Sequence, residues 1–192
     1  MLVFGESTAA GVGVESHDHG MAGALARTLN TAWSRPVRWS VVGQGGATAA
    51  AARDFLLPQV ESTPYDVVVV MLGVNDTLAL TSVAKWRRGI GTILDRLMPL
   101  LAPGGSVVLA GVPRIDTFPS LPQPLRRILG NHARALDRAL EQVACTLDNV
   151  QYVPTPPVEQ ADHLASDRFH PGEAGYADWA GVVAEQIIRS SA

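Results

Sequence analysis

Hydrophobic and polar positions follow two alternating patterns along the chain. Short apolar runs rich in β-branched residues predict five strands, over residues 2–4, 37–42, 66–72, 106–112 and 149–153. The longer stretches between them carry apolar residues every three or four positions, which predicts helices around residues 21–29, 47–55, 83–100, 125–143 and 177–188. This alternation of strand and helix is typical of an α/β domain.

The third predicted strand is apolar along almost its whole length. Its sequence, DVVVVML, shows no alternation of polar and apolar residues, as a strand does when helices cover both of its faces. A parallel sheet between two helical layers, with right-handed crossovers, produces that environment. We therefore expect a flavodoxin-like three-layer α/β/α sandwich with a five-stranded parallel sheet, formed by a single domain over residues 1–192.

Composition narrows the class of protein without identifying its chemistry. The chain has 192 residues, of which 47% are hydrophobic and 17% charged, as in a well-packed globular protein. The net charge of -3 and the scattered basic residues indicate no nucleic-acid partner. No run of about 18 apolar residues is present, so we expect no stable insertion into a membrane. The sequence leaves the oligomeric state open.

The cysteine content bears on the cellular compartment. Cys145 is the single cysteine, so no disulfide forms within the chain and no cysteine-based metal site is available. Because no signal peptide precedes the first strand, we expect a cytoplasmic protein. That strand begins almost at Met1, so a missing upstream segment stays an open alternative. Lys85 is the only lysine among 15 basic residues, a bias that suggests GC-rich, bacterial coding.

Small and polar residues follow the predicted strands. Ligands of such sheets bind beyond the carboxyl ends of the strands, so these residues are expected to share one edge. The segments concerned are Gly5-Glu6-Ser7, 43–48, 73–76 and 167–172. Each segment alone has a structural explanation, such as a helix cap or a tight β–α turn. Their coincidence at matching strand ends favours a catalytic site.

Acyl transfer by a serine requires these residue types. The Ser7 hydroxyl becomes a nucleophile only when a base takes its proton, and an imidazole does so near neutral pH. Asp167 and His170 are close enough in sequence for one turn to present both, with the carboxylate fixing the imidazole tautomer. Donors for the oxyanion of the transition state are available from Ser7 N–H, Gly46 N–H and the Asn75 amide.

At these residues the chain resembles the SGNH hydrolases, also called GDSL-type esterases and lipases. The family is named for a Ser, a Gly, an Asn and a His in four blocks, which stand here in GESTAAG, GQGGAT, LGVND and DRFHPGEAGY. The resemblance implies a carboxylic ester hydrolase with an acyl-serine intermediate. Ser7 is then the nucleophile, His170 the base and Asp167 its orienting group. An oxyanion hole of Ser7, Gly46 and Asn75 is also implied, with no metal or organic cofactor.

One position departs from the family pattern. The usual motif begins Gly-Asp-Ser, whereas this chain has Gly5-Glu6-Ser7. We expect Glu6 to support the nucleophile loop in place of the aspartate. Its side chain is one methylene longer, so it either makes the same hydrogen bonds from a shifted position or leaves the loop looser.

Apolar residues near the predicted site indicate the substrate class. Leu78, Ile115, Phe118 and Phe169 are expected to line the acyl site, and Pro119 lies in the same loop as two of them. Such a pocket suits a small-molecule carboxylic ester with a short to medium acyl chain. A thioesterase or lysophospholipase, or a carbohydrate acetylesterase, with the same triad is an alternative. A non-catalytic α/β binding module is the alternative from another class, and the unbroken triad disfavours it.

Overall fold

Five parallel strands form the centre of the molecule. The structure, a computed structural model, describes residues 1–118, 120–157 and 163–190. The strands are β1 (Leu2–Gly5), β2 (Ser40–Gly43), β3 (Tyr65–Met71), β4 (Leu101–Ala110) and β5 (Val150–Val153). They lie in the order β2-β1-β3-β4-β5, and every neighbouring pair is parallel. This is the flavodoxin-like order, so the predicted fold class is confirmed.

Helices cover both faces of the sheet. On one face, α1 (Met21–Trp33) and α6 (Glu173–Ser190) pack together in a core cluster that includes Val3 and Val69. On the other, α2 (Ala49–Ala51), α4 (Val83–Leu97) and α5 (Leu125–Ala144) share a cluster with Phe4 and Val68. Successive side chains of a strand point to opposite faces, so the unbroken apolar run of β3 fills both cores. None of the helices in the described part of the chain is long and apolar enough to cross a bilayer.

The structure departs from the sequence prediction mainly outside the sheet. The helix predicted over 47–55 is α-helical only in α2, because residues 52–56 form a wider π-helical turn and 57–59 a 3-10 turn. β4 begins at Leu101, ahead of the predicted start at 106. A short helix, α3 (Val74–Leu78), follows β3 closely. Pro119, which the sequence places in the loop after β4, lies outside the described residues.

Backbone contacts fix the carboxyl end of β1 between its neighbours. Gly5 has a φ of 150°, and a Cβ atom there would lie 1.9 Å from the Met71 carbonyl oxygen, so only glycine fits. The next residue, Glu6, donates its N–H to that Met71 oxygen at 2.9 Å. On the other side, Gln44 N–H donates to Gly5 O at 3.1 Å. The chain therefore leaves β1 at a defined place and brings Ser7 to this edge of the sheet.

Candidate active site

Ser7 begins a compact loop at the end of β1. Its side chain is largely buried, with 7% of the residue exposed. Two backbone hydrogen bonds close the loop, from Ala10 N–H to Glu6 O and from Val12 N–H to Ser7 O, both at 3.0 Å. We call residues 6–14 the nucleophile loop. Its internal bonds hold the serine in one place without using the serine hydroxyl.

His170 and Asp167 form a close pair in the loop ahead of α6. His170 Nδ1 lies 2.6 Å from Asp167 Oδ2, while Asp167 Oδ1 accepts the N–H groups of Phe169 at 2.9 Å and His170 at 3.0 Å. Burial raises the pKa of Asp167, but the bonds from the His170 ring, His170 N–H and Phe169 N–H outweigh it and leave the pKa at about 2. An ionised Asp167 accepts a hydrogen bond from Nδ1–H of a neutral ring and leaves its Nε2 free to act as a base.

Ser7 and His170 line the same cavity, which has mostly apolar walls and a volume of about 530 Å³. Among the described residues, no hydrogen bond joins the Ser7 hydroxyl to the His170 ring. Catalytic hydrogen bonds often tighten only when substrate is bound. The cavity therefore gives a small molecule access to both side chains.

Two contacts join the nucleophile loop to the segment that carries His170. A Cβ atom on Gly13 would lie 2.3 Å from the Pro171 carbonyl oxygen, so this glycine permits the close approach of the two loops. Tyr176, a fully buried residue of α6, donates its hydroxyl to Val12 O at 2.8 Å. The four-block pattern did not reveal this function of Tyr176, although the residue lies within the last block. The relative position of serine and histidine thus depends on α6.

Asn75 lies on α3 and is held by Glu6. Glu6 is 2% exposed, and its Oε1 accepts Val74 N–H at 2.9 Å. Its Oε2 accepts Asn75 N–H at 3.0 Å and the Asn75 side-chain Nδ2 at 2.6 Å. Burial raises the pKa of Glu6 to about 7, because it outweighs these three hydrogen bonds, which lower the pKa. Glu6 therefore contacts the Asn75 block directly, an interaction that the sequence did not predict.

Gly46 lies in the turn between β2 and α2. Its backbone has a φ of 80°, a conformation that favours glycine, and the residue is exposed. The helix after it is tied to the Asn75 block, because the buried Asp76 accepts Ala49 N–H at 2.7 Å. The predicted oxyanion-hole residues thus lie on three strand-end segments that hydrogen bonds connect in pairs.

The four predicted acyl-site residues separate into two groups. Phe118 and Phe169 line the cavity, with ring centroids 5.1 Å apart in an edge-to-face contact. Ile115 is fully buried in the core and Leu78 is 43% exposed, and neither is among the cavity-lining residues. Ile115 points inward because the 3-10 turn of residues 115–117 packs on α5. Of the four predicted residues, only the two phenylalanines therefore contribute to the apolar wall of the cavity, which aliphatic residues such as Leu164 and Val182 also line.

A second histidine–aspartate pair, absent from the sequence prediction, borders the cavity. His163 Nδ1 lies 3.3 Å from Asp178 Oδ2, and both residues line the cavity. Their spacing of 15 positions carries no local motif that a sequence reading would detect. Within residues 1–118, 120–157 and 163–190, no group of three His, Cys, Asp or Glu side chains is arranged to bind a metal ion.

The model of the GDSL-like lipase/acylhydrolase family matches residues 3–177. The chain belongs to this family. The family predicted from the four blocks is thereby confirmed, and it is a family of lipases and acylhydrolases, enzymes that cleave carboxylic esters. A GDSL-like esterase of Mycobacterium tuberculosis is 27% identical over 188 residues, which are 92% of this chain and 58% of the relative. The chain thus spans little more than half of that relative's length.

Solved structures of low sequence identity share the fold of this GDSL family member. The lipase Lip_vut3 from a goat rumen metagenome is 16% identical with a TM-score of 0.75, covering 96% of this chain and 95% of its own. A protein named TesA is 20% identical with a TM-score of 0.72, covering 100% and 98%. The esterase EstA from Pseudoalteromonas sp. is 16% identical with a TM-score of 0.70, covering 98% and 96%. At these identities the likeness supports the fold alone.

Proposed function

We propose that this chain is a carboxylic ester hydrolase that cleaves esters through an acyl-serine intermediate at Ser7. His170 is the general base and then the general acid, and Asp167 orients it. Ser7 N–H, Gly46 N–H and the Asn75 side-chain amide form the oxyanion hole. The observation that supports these roles most directly is that Ser7 lines one cavity with His170, whose ring Nδ1 contacts Asp167.

The catalytic cycle follows from the protonation states at the pair. The ring proton stays on Nδ1, hydrogen-bonded to Asp167. Nε2 of His170 therefore takes the Ser7 proton as Oγ attacks the ester carbonyl carbon. The bond from carbon to the alcohol oxygen breaks, and His170 returns the proton to the leaving alcohol. Water then attacks the acyl-serine with His170 again as base, which releases the acid and restores the hydroxyl of Ser7.

The substrate class follows from the size and character of the cavity. Its volume of about 530 Å³ and mostly apolar walls suit an acyl chain of short to medium length. The Phe169 ring lies edge-to-face against His170 with ring centroids 5.2 Å apart, and Phe118 packs against Phe169 in turn. The proposed substrate is therefore a small carboxylic ester, and a thioester or lysophospholipid with a similar acyl chain is the nearest alternative within the same chemistry.

Hydrolysis of p-nitrophenyl esters, from acetate to laurate, tests the proposal. Wild type and Ser7→Ala are assayed side by side, with circular dichroism and thermal melting to compare their folds. We expect activity that peaks at short to medium chains and falls by at least about 10³-fold in Ser7→Ala, because the nucleophile is lost. Equal activity in the two proteins would disprove the assignment of Ser7. Acyl thioesters of the same chain lengths are assayed in parallel. Activity on the thioesters alone would identify the chain as a thioesterase.

A further inference from the structure

Glu6 reaches from the end of β1 to the start of α3, and its carboxylate accepts three N–H groups there. The acceptor distances are 2.9 Å from Val74 N, 3.0 Å from Asn75 N and 2.6 Å from Asn75 Nδ2. With 2% of the residue exposed, water does not replace these bonds. A buried carboxylate with three donors is a strong local constraint, since hydrogen bonds to a charged group are roughly twice as strong as neutral ones.

The chemistry of a carboxylate determines which way the Asn75 amide points. An amide side chain has a donor end and an acceptor end of similar shape, and its environment selects between them. An ionised Glu6 only accepts hydrogen bonds, so the NH₂ end of Asn75 must face it. One Nδ2 hydrogen is used by Glu6, and the other stays available to a substrate oxygen. If the Asn75 amide were turned over, its carbonyl oxygen would take the place of Nδ2. Two acceptors would then face each other at Glu6, and no donor would be left there for an oxyanion.

The same carboxylate also fixes the helix that carries Asn75. α3 has only 5 residues, and its N-cap, Gly73, provides no side-chain hydrogen bond. Glu6 supplies the missing acceptor for two of the first backbone N–H groups of α3. A shift of this short helix would move the Asn75 amide relative to Ser7, which neighbours Glu6 in the chain.

We propose that Glu6 is a positioning residue for Asn75, which holds the amide as an oxyanion-hole donor at a fixed distance from Ser7. This inference rests on the proposed function, because it takes Asn75 as an oxyanion donor. It adds a second role to the expectation that Glu6 supports the nucleophile loop. That loop closes through its own backbone bonds and through Tyr176, whereas the side-chain hydrogen bonds of Glu6 to the described residues all go to α3.

A double-mutant cycle separates this role from a general structural one. Wild type, Glu6→Gln, Asn75→Ala and the double variant are assayed on the best p-nitrophenyl ester at pH 8.5, where the carboxylate is ionised. Rates are normalised to active sites titrated to completion with a fluorophosphonate. Gln keeps the shape of the side chain but turns an NH₂ group toward one of the three N–H donors. Thermal melting of all four proteins records any loss of stability.

If Glu6 acts by positioning Asn75, the losses of kcat caused by the two substitutions should not be additive. We expect kcat to fall by about 10²-fold in Asn75→Ala and about tenfold or more in Glu6→Gln, with KM changed less than about threefold. In the Asn75→Ala background, Glu6→Gln should lower kcat by less than about threefold, because the group it positions is gone. The same fold loss in both backgrounds would overturn the proposal.

Two further outcomes keep the test decisive. If Glu6→Gln does not fold, Glu6→Asp replaces it in the same cycle with the same criterion, since aspartate keeps a carboxylate but is one methylene shorter and so shifts the acceptor away from α3. Activity that survives Ser7→Ala contradicts the proposed function itself. Additive losses combined with Ser7-dependent activity contradict only the positioning role of Glu6.

Discussion

At the scale of single residues, the two histidine–aspartate pairs at the cavity differ in how well they are ordered. The His170–Asp167 distance is 2.6 Å, and two backbone N–H groups hold the carboxylate. The His163–Asp178 distance is 3.3 Å, and the Asp178 side chain is 62% exposed. Only the first pair has an aspartate whose orientation does not depend on the histidine.

This difference predicts which aspartate matters for catalysis. We expect Asp167→Asn to lower kcat by roughly 10³- to 10⁴-fold, because an amide no longer fixes the Nδ1-protonated tautomer of His170. Asp178→Asn makes the same chemical change at the second pair and should lower kcat by less than about tenfold. Steady-state kinetics of both variants on one ester show which of the two aspartates supports catalysis. A larger loss in Asp178→Asn would mean that His163 is the base.

The placement of the candidate site residues at one sheet edge could be predicted from the sequence more readily than their side-chain contacts. Ser7, Gly46, Asn75 and His170 follow strands, so the predicted topology already brought them to one edge. The contact of Glu6 with Asn75 joins residues 69 positions apart, and no periodicity records such a pairing. The same limit applies to His163 and Asp178, whose pairing depends on how their loop meets α6.

At the scale of elements, the site depends on how the nucleophile loop meets α6. Tyr176 is buried within α6, and its hydroxyl contacts Val12 O, five positions after Ser7 in the chain. A hydroxyl placed in this way links the helix behind His170 to the loop that carries the serine. A small displacement between such groups has a large effect, since about 1 Å of misplacement can lower a rate by about 10²-fold.

Removal of this hydroxyl should therefore affect catalysis as well as stability. We expect Tyr176→Phe to lower kcat by about tenfold and the free energy of unfolding by about 1 kcal/mol. The matched control is Tyr65→Phe, which removes a hydroxyl bond to Glu61 O at the start of β3, about 20 Å along the strand from the site edge. Unfolding curves and kinetics are measured for both. An equal fall of kcat in the control would show that the loss is not local to the loop.

The elements themselves were predictable where one period dominates the sequence. The five strands follow clear apolar runs and α5 follows a clear helical period, so the sequence predicted that they exist. Their observed ends differ from the predicted ends by a few residues. Ala47–Phe55 was less clear because its alanines favour helix without specifying which face is buried, and the chain widens into a π-helical turn. Ile115 and Leu78 could not be assigned to the cavity, since apolar character alone does not tell a core contact from a substrate contact.

At the scale of the whole molecule, the two cores hold the functional edge from opposite sides. On one face, α6 packs with α1 and provides the Tyr176 contact to Val12. On the other, α2 and α5 support the Gly46 and Asn75 segments. The single-domain organisation over residues 1–192 and the cytoplasmic location stay predictions. The described residues show how one sheet edge collects groups from strands far apart in sequence.

Stability of the whole fold should depend on pH through Glu6, because this carboxyl is buried. Its pKa rises from 4.5 to about 7 on folding, mainly through burial, with Asp76 adding a smaller increase. A raised pKa means that the folded state binds the proton more tightly. The stability this provides is fully present below pH 4.5 and is lost as the pH rises through 7. Asp167 and Asp116, both with a pKa of about 2, lose their contributions only at more acidic pH.

Comparison with Glu6→Gln isolates this contribution, since glutamine does not titrate and the other carboxyl groups are common to both proteins. From pH 4.5 to pH 8.5, we expect the free energy of unfolding of wild type to fall relative to Glu6→Gln by up to about 3 kcal/mol. Urea unfolding at intervals of pH measures the difference. A difference that stays constant over this range would mean that Glu6 ionises at its ordinary pKa. In that case its carboxylate would already be fully charged at neutral pH, and its three hydrogen bonds would balance the effect of burial on its pKa.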